Sequence, residues 1–377
     1  MPLLALLSCG APPPPRPAPP VVIARPIADK PLVVAPLPAT TPERLPHTFE
    51  PTRYAAHLQV DPALPAFTAT VEIAGELAEP SALIWINAEG LTITGVTASR
   101  ADASVRMATK YATKPGWLAL QSEQPLAAGP WTLTITYTGT WNDKHAVGGF
   151  VERDKRTAQS AAGADRYVYT QFEPDYARRV FPCFDEPDRK VPWQLTLDVP
   201  EALVAASNTP IESETHVAAL EWTATHSRRS ATTVRFAQTP PLPSYLIAFA
   251  VGPFDVVDAG HSNSGIPIRL LTLRGKGPEV AAAARSIPAL LDKIESWLGV
   301  PFPYAKLDVV EVQVTAEWWG AMENAGLITF NTDMFDSRAW DGTILHELAH
   351  HWFGDYVTPA WWDDIWLNES FAYWIAV

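Results

Sequence analysis

The chain has 377 residues, of which 47% are hydrophobic and 18% charged, and its formal net charge is −13 at pH 7. This length and composition allow a sizeable core in about two domains, so the chain is not a disordered protein. The acidic balance, without a long run of Lys and Arg, argues against nucleic-acid binding, and no apolar stretch reaches the roughly 18 residues of a membrane span.

The first residues, MPLLALLSCG, form a short apolar run that ends in Ser8-Cys9. This pattern resembles a bacterial lipoprotein signal over residues 1–9, with Cys9 as the lipidation candidate. It predicts a lipid-anchored or periplasmic protein of the bacterial cell envelope, whose membrane contact is through that anchor. No Lys or Arg precedes the run, whereas export signals carry a positive segment there. The alternative is a disordered leader, and the protein is then expected in the cytoplasm.

The segment over residues 10–46 is rich in proline and has little hydrophobic periodicity. Such a composition is typical of an extended linker rather than a packed element. A lipid-anchored enzyme needs a spacer of this kind before its first domain.

Short alternating runs begin at residue 47. In PWTLTITYTGTW, the apolar side chains of Leu133, Ile135 and Tyr137 share one face and the threonines share the other. The runs LIWINAEGLTITGVTA and VPWQLTLDVP are similar, with Gly, Asn, Asp and Pro between them. These patterns predict an N-terminal antiparallel β-sandwich-like domain over residues 47–258.

A second unit, over residues 259–377, begins with GIPIRLLTLRGK and continues with a helical pattern from Glu279. The run EVAAAARSIPALLDKIESWLG is rich in alanine and ends at Gly299, a residue type that commonly ends helices. The chain is therefore predicted to be an α+β multidomain protein, in which a β domain precedes an α/β domain.

The stretch HELAHHWFGDYVTPAWWDDIWLNES contains a candidate metal site on a helix. Residues four apart on a helix are offset by only about 40°, so His346 and His350 project from one face and can bind one ion. Asp341 or Thr343 is predicted to cap the start of this helix, and the residues Leu345, Leu348 and Ala349 suit a buried helix.

Glu347 lies beside these histidines but points past the metal, where a carboxylate can accept a proton from a zinc-bound water. Catalytic zinc usually keeps three protein ligands. We therefore predict one Zn²⁺ per chain, held by His346, His350 and Glu369, the last on a second helix within WLNESFAYW. His351 is rotated off the ligand face and is not predicted to be a ligand.

Two further motifs, together with the metal-site motif, indicate a protein family. Residues Gly320 to Asn324 read Gly-Ala-Met-Glu-Asn and precede His-Glu-x-x-His by about twenty residues. Tyr169 to Pro187 read YTQFEPDYARRVFPCFDEP. With the final Glu369, these three motifs resemble the zinc aminopeptidases typified by aminopeptidase N, from about residue 47 onward. The resemblance implies that the second unit is the first part of a thermolysin-like α/β zinc peptidase domain.

The resemblance also implies substrate-binding residues. Glu323 matches the principal amine-binding glutamate of the family, and Glu173 matches a second anchor from the β domain. An exopeptidase needs carboxylates at a fixed distance from the metal to hold the substrate ammonium. Ala321 and Met322 would align the substrate backbone along an edge strand. The motif is completed by Gly320 and Asn324.

The implied activity is that of a zinc metallo-aminopeptidase. It would release N-terminal amino acids from peptides with a free N-terminus by attack of a zinc-activated water, with Glu347 as the general base. A thermolysin-like endopeptidase is one alternative, although it has no reason to carry Glu323 in this motif. A relative with epoxide hydrolase activity is disfavoured by Ala321. A non-catalytic peptide-binding relative is disfavoured by the intact zinc ligands and base.

The family places a tyrosine downstream of the third ligand, where its hydroxyl stabilises the oxyanion. No such residue can be assigned, because the sequence ends with the apolar run FAYWIAV. We therefore expect an incomplete fragment with a truncated catalytic domain, and little or no turnover from residues 1–377 alone.

Overall fold

The computed structural model describes residues 31–159, 163–313, 320–335 and 340–377. The predicted signal with Cys9 and the first part of the predicted linker lie outside these residues. The lipid anchor and the cell-envelope localisation therefore stay predictions. Among the helices of the described ranges, none combines the length and the apolar character needed to cross a membrane.

The regular structure of the described residues consists mainly of strands, followed by four α-helices near the C-terminal end. In chain order the strands are β1 (Phe49–Gln59), β2 (Ala66–Leu77), β3 (Ser81–Asn87), β4 (Thr92–Arg100), β5 (Ala103–Arg106), β6 (Ala108–Tyr111), β7 (Trp117–Leu126), β8 (Gly129–Thr140), β9 (Gly148–Arg153), β10 (Arg166–Gln171), β11 (Trp193–Pro200), β12 (Val204–Ser207), β13 (Ile211–Trp222), β14 (Ser227–Phe236), β15 (Phe249–Gly252), β16 (Asp255–His261), β17 (Pro267–Thr272), β18 (Leu307–Val312), β19 (Ala321–Met322) and β20 (Leu327–Asn331). The helices are α1 (Gly277–Leu298), α2 (Thr332–Phe335), α3 (Trp340–His350) and α4 (Ile365–Ala376).

The first unit is built from three sheets. The largest has the order β13-β14-β11-β1-β2-β8-β4-β5, and the two others are β12-β15-β10-β9 and β3-β7-β6. The alternation predicted in β8 is confirmed, because Leu133, Ile135 and Tyr137 are all buried and the residues between them are more exposed. Among the named strands that the structure describes in this unit, the pairing is antiparallel except between β1 and β11, which run parallel. The predicted β-rich domain is thus confirmed.

The second unit has a five-stranded sheet of order β16-β17-β18-β20-β19. Strands β17, β18 and β20 are parallel, and β19 is an antiparallel edge strand. The helix predicted from Glu279 is α1, and Gly299 ends it with a left-handed φ of 67°, which glycine adopts at no steric cost. The domain boundary that we predict at residues 258/259 falls within β16, which pairs with β17 of this sheet.

The described part of the proline-rich segment corrects one expectation. Residues 31–46 form no helix or strand, as expected, but the end of this segment at Arg44 and Leu45 contacts the rest of the protein. Leu45 is 2% exposed, and its N–H donates to Glu186 Oε1 at 2.6 Å. The guanidinium of Arg44 stacks 3.8 Å from the ring centre of Trp361. Hydrophobic periodicity in the sequence does not detect such a segment, because single apolar and basic side chains, rather than a repeating pattern, attach it to the protein.

Candidate metal centre and active site

Helix α3 carries the two candidate histidine ligands. It includes Trp340, so Asp341 and Thr343 lie inside the helix and neither caps its start as predicted. The buried Trp340 contacts the ring of Phe330, with centroids 4.8 Å apart, and this apolar contact extends the helix toward its N-terminus. Asp341 lies instead in the first turn, where its negative charge interacts favourably with the helix dipole.

The three predicted metal ligands lie together. Nε2 of His346 is 3.0 Å from Nε2 of His350. Glu369, on α4, places its Oε2 at 3.4 Å from His346 Nε2 and 3.9 Å from His350 Nε2. Tetrahedral zinc with ligands at roughly 2.0–2.2 Å separates its donor atoms by about 3.3–3.6 Å. The donor set and its spacing therefore fit a zinc ion.

A residue beside Glu369 holds this arrangement together, and the motif does not predict it. Oδ1 of Asn368 is 2.5 Å from Nδ1 of His350, and its Nδ2 donates to Glu323 Oε1 at 3.2 Å. Asn368 is fully buried. An asparagine that follows the apolar run Ile365–Leu367 and directly precedes Glu369 is the signal that could have identified it. Its amide fixes the His350 ring, which leaves Nε2 free to face the metal position.

Several acidic side chains meet at the same place. Glu347 is 5% exposed and Glu323 is 4% exposed. Burial raises the pKa of Glu347 well above its usual value, and the nearby charges of Glu323, Glu369 and Glu173 add to the effect. Burial and the same two neighbours, Glu323 and Glu369, likewise raise the pKa of Glu173. Carboxylates this close together repel one another unless cations are bound nearby. A divalent metal ion together with an ammonium group would supply that positive charge.

Glu369 behaves differently from these buried carboxylates. A hydrogen bond with His346 lowers the pKa of Glu369, and half of its side chain is exposed. Oxygen atoms of Glu173, Glu323 and Glu369 also lie within 4.8 Å of one another. The structure therefore brings the predicted amine-binding glutamates to the predicted metal ligands.

The motif preceding these ligands forms the edge of the sheet. Ala321 and Met322 make up β19 and pair with Phe330 and Thr329 of β20. Because β19 is the last strand of this sheet in the described residues, its outer side can align an extended peptide.

The two ends of the motif support that edge. The carbonyl of Gly320 accepts a hydrogen bond from the Asn331 N–H at 2.9 Å. Asn324 is fully buried, and its Nδ2 donates to Thr329 Oγ1 at 3.3 Å. Asn324 thus holds the loop within the core, and its predicted role in substrate binding stays a prediction.

His351 lies in the core, away from the ligand face. Its Nε2 accepts a hydrogen bond from the Gly326 N–H at 3.1 Å, and its Nδ1 faces the Glu347 carbonyl at 3.0 Å. Burial lowers the pKa of His351 to about 3. The neutral ring therefore links α3 to the loop that carries Glu323.

A cavity of about 830 Å³ opens beside the site. Glu173 and Glu369 line it on the active-site side, and Trp117, Trp361 and Trp362 contribute aromatic walls. Its volume lies within the range of typical ligand sites, about 300–1,000 Å³.

Two histidines one helical turn apart, a glutamate between them and a carboxylate from the next helix form the arrangement of the His-Glu-x-x-His metallopeptidases. Comparison with known families agrees with this class. The Peptidase M1 N-terminal domain matches residues 50–246, and the Peptidase family M1 domain matches residues 283–377. The chain belongs to peptidase family M1, and the resemblance stated from its motifs is confirmed.

Curated relatives carry aminopeptidase names. Aminopeptidase M1-B of Oryza sativa subsp. japonica is 33% identical over 344 residues, which cover 88% of this chain and 37% of the relative. The puromycin-sensitive aminopeptidase of Caenorhabditis elegans is 32% identical over 347 residues, 88% of this chain and 34% of the relative. The glutamyl aminopeptidase of Sus scrofa is 31% identical over 350 residues, 87% of this chain and 35% of the relative. The chain spans little more than a third of the length of these relatives.

Proposed function

We propose that the protein is a zinc metallo-aminopeptidase that removes N-terminal residues from peptides. The observation that carries the proposal is the convergence of His346, His350 and Glu369 with the buried Glu323 and Glu347. The aminopeptidase names of the relatives support the same reaction class.

His346, His350 and Glu369 would hold the zinc ion. When bound, zinc supplies a Lewis acid that polarises the scissile carbonyl and lowers the pKa of water. Glu347 is the general base in this proposal, since burial raises its pKa and a carboxylate with a raised pKa is a stronger proton acceptor. After the attack, the same side chain can deliver that proton to the leaving amine.

Glu323 and Glu173 recognise the substrate ammonium. Both belong to a group of carboxylates whose oxygens lie within 4.8 Å of one another, so an ammonium between them gains two charge-assisted hydrogen bonds. Glu323 comes from the loop after the edge strand β19 and Glu173 comes from the β domain. Their common position fixes the free N-terminus at one distance from the metal ligands, which restricts cleavage to the first peptide bond.

Paired variants test the assigned roles. Glu347→Gln should keep zinc but lower kcat by about 100-fold or more, because proton transfer is lost. His350→Ala should lose zinc, because it removes a ligand. Zinc content is measured by elemental analysis on the 377-residue chain. Turnover is measured on the full-length protein, expressed from its own gene. Equal loss of zinc in both variants would show that Glu347 is a ligand and not the base.

A further inference from the structure

The turn at Ala325–Gly326, directly after the amine-binding motif, is bonded to three separate parts of the chain. The carbonyl of Ala325 accepts from Asn208 Nδ2 at 2.9 Å. The carbonyl of Gly326 accepts from Lys306 Nζ at 2.8 Å, and its N–H donates to His351 Nε2 at 3.1 Å. The turn is therefore tied to the β domain, to the start of β18 and to the helix of the metal ligands.

Asn208 makes the bond from the β domain. Its Oδ1 accepts from the Ala248 N–H at 2.9 Å, which directs its Nδ2 toward the carbonyls of Leu246 at 2.7 Å and Ala325 at 2.9 Å. The side chain is 3% exposed. All the hydrogen-bonding groups of this amide except one lone pair are used, so its orientation is fixed. Asn208 is thus a rigid link between its own domain and the turn.

Lys306 strengthens the same junction. Its Nζ donates to the Ser207 carbonyl at 2.5 Å, to the Gly326 carbonyl at 2.8 Å and to Asp308 Oδ2 at 2.9 Å. The residue is 5% exposed. The ammonium therefore donates its three protons to the β domain, to the turn and to Asp308 of β18.

The atoms of the turn and of the β domain are closely packed at this junction. Gly326 has a φ of 69°, and a Cβ built on it would lie 2.5 Å from the Asn208 carbonyl oxygen. The backbone of the turn thus lies directly against the backbone of the β domain. A shift of either part would break several buried hydrogen bonds, each costly to leave unmade.

We propose that Asn208 is a positioning residue for substrate recognition: it fixes the Ala325–Gly326 turn and so sets the place of Glu323 relative to the metal helix. This inference rests on the proposed function, in which Glu323 binds the substrate ammonium. Asn208 acts only through the turn. Loss of its bond should weaken amine binding while the metal ligands of α3 and α4 stay in place.

Asn208→Asp is the test variant, because it keeps the size and the bond from Ala248 but replaces the donor by an oxygen that faces two carbonyls. Gln194→Glu is the matched control. Gln194 is also buried and donates from its Nε2 to the Phe236 carbonyl, but its bonds lie within the β domain. If Asn208→Asp does not fold, Asn208→Ser replaces it, since a hydroxyl leaves room for water.

The first measurement is hydrogen exchange at the Gly326 amide in the 377-residue chain. Asn208→Asp should speed this exchange about tenfold or more, because the turn loses a bond, and Gln194→Glu should leave it unchanged. Zinc content should be unchanged in both variants. The proposal would be overturned if the Gly326 amide exchanged at the wild-type rate in Asn208→Asp or Asn208→Ser. It would also be overturned if Gln194→Glu accelerated the exchange equally.

The second measurement is the kinetics of a free peptide with the protein expressed from its own gene. Asn208→Asp should lower kcat/KM by about 10- to 100-fold, mostly through KM, because a misplaced binding group weakens ground-state and transition-state binding alike. Glu323→Gln separates the two claims. If it leaves KM unchanged, the proposed amine recognition fails. If it raises KM while Asn208→Asp matches Gln194→Glu, the positioning role fails.

Discussion

Oδ1 of Asn368 lies 2.5 Å from Nδ1 of His350. The same amide donates from Nδ2 to Glu323, so one buried side chain joins a proposed metal ligand to the proposed amine-binding carboxylate. Because Asn368 directly precedes Glu369 on α4, the same helical turn carries the proposed third ligand and orients the proposed second ligand, His350.

Asn368→Ala should therefore weaken zinc binding without removing a ligand. Loss of the group that orients a metal-bound histidine typically lowers affinity by about 10- to 100-fold. Zinc affinity of the 377-residue chain is measured by competition with a chromophoric chelator. Ser370→Ala, at an exposed position of the same helix, is the control and should bind zinc as the wild type does. An unchanged affinity in Asn368→Ala would show that His350 needs no such support.

Two glycines near the site should respond in opposite directions to alanine. Gly354 has a φ of 122°, and a Cβ there would collide with Oδ1 of Asn368. Gly354→Ala should destabilise the chain by about 2 kcal/mol or more. Gly342 lies within α3, and no atom of the described residues is within reach of a Cβ there, so Gly342→Ala should stabilise the chain by about 0.5–1 kcal/mol. Urea unfolding measures both, and a harmless Gly354→Ala would contradict the packing described.

A buried ion pair in the second unit gives a pH dependence with a definite sign. Asp308 accepts from Arg269 Nη2 at 2.7 Å and from Lys306 Nζ at 2.9 Å. Burial alone would raise the pKa of Asp308, but attraction to Lys306 and the Arg269 hydrogen bond outweigh it and hold the pKa below 3.8. A carboxylate with a depressed pKa adds stability above its unfolded pKa, and this is lost as the pH falls through the folded pKa.

Asp308→Asn should thus be much less stable than the wild type at pH 7, and the difference should shrink as the pH falls below 3.8. Free energies of unfolding at several pH values test this. Asp102→Asn, at the exposed partner of Arg100, is the control and should change stability little at any pH. A difference that is constant with pH would mean that the pKa of Asp308 is the same in the folded and unfolded chain.

The sequence predicts the parts of this molecule that depend on local periodicity. Alternation along β8 identifies Leu133 and Tyr137 as core residues, and the spacing of His346 and His350 places them on one helical face. Glu369 follows from the need for a third ligand. These features need only the geometry of one element or one short motif.

Contacts between segments that are distant in the sequence cannot be predicted from local periodicity. Nothing local indicates that Asn368 meets Glu323, or that Asn208 bonds to the turn after Glu323. The predicted caps fail for a similar reason, since packing of Trp340 extends α3 beyond Asp341. Tertiary packing decides each of these cases, and a single sequence does not display it.

We propose that this site binds a free N-terminus beside a bond that a metal activates. The most direct measurement compares a peptide with its N-acetylated twin, using the protein expressed from its own gene and mass spectrometry of the products. Acetylation removes the ammonium and leaves Glu323 and Glu173 without a partner, which should lower kcat/KM on the order of a thousandfold. The free peptide should lose its N-terminal residues stepwise and its twin should not be cleaved, whereas efficient internal cleavage of the acetylated peptide would rule out the proposed amine recognition.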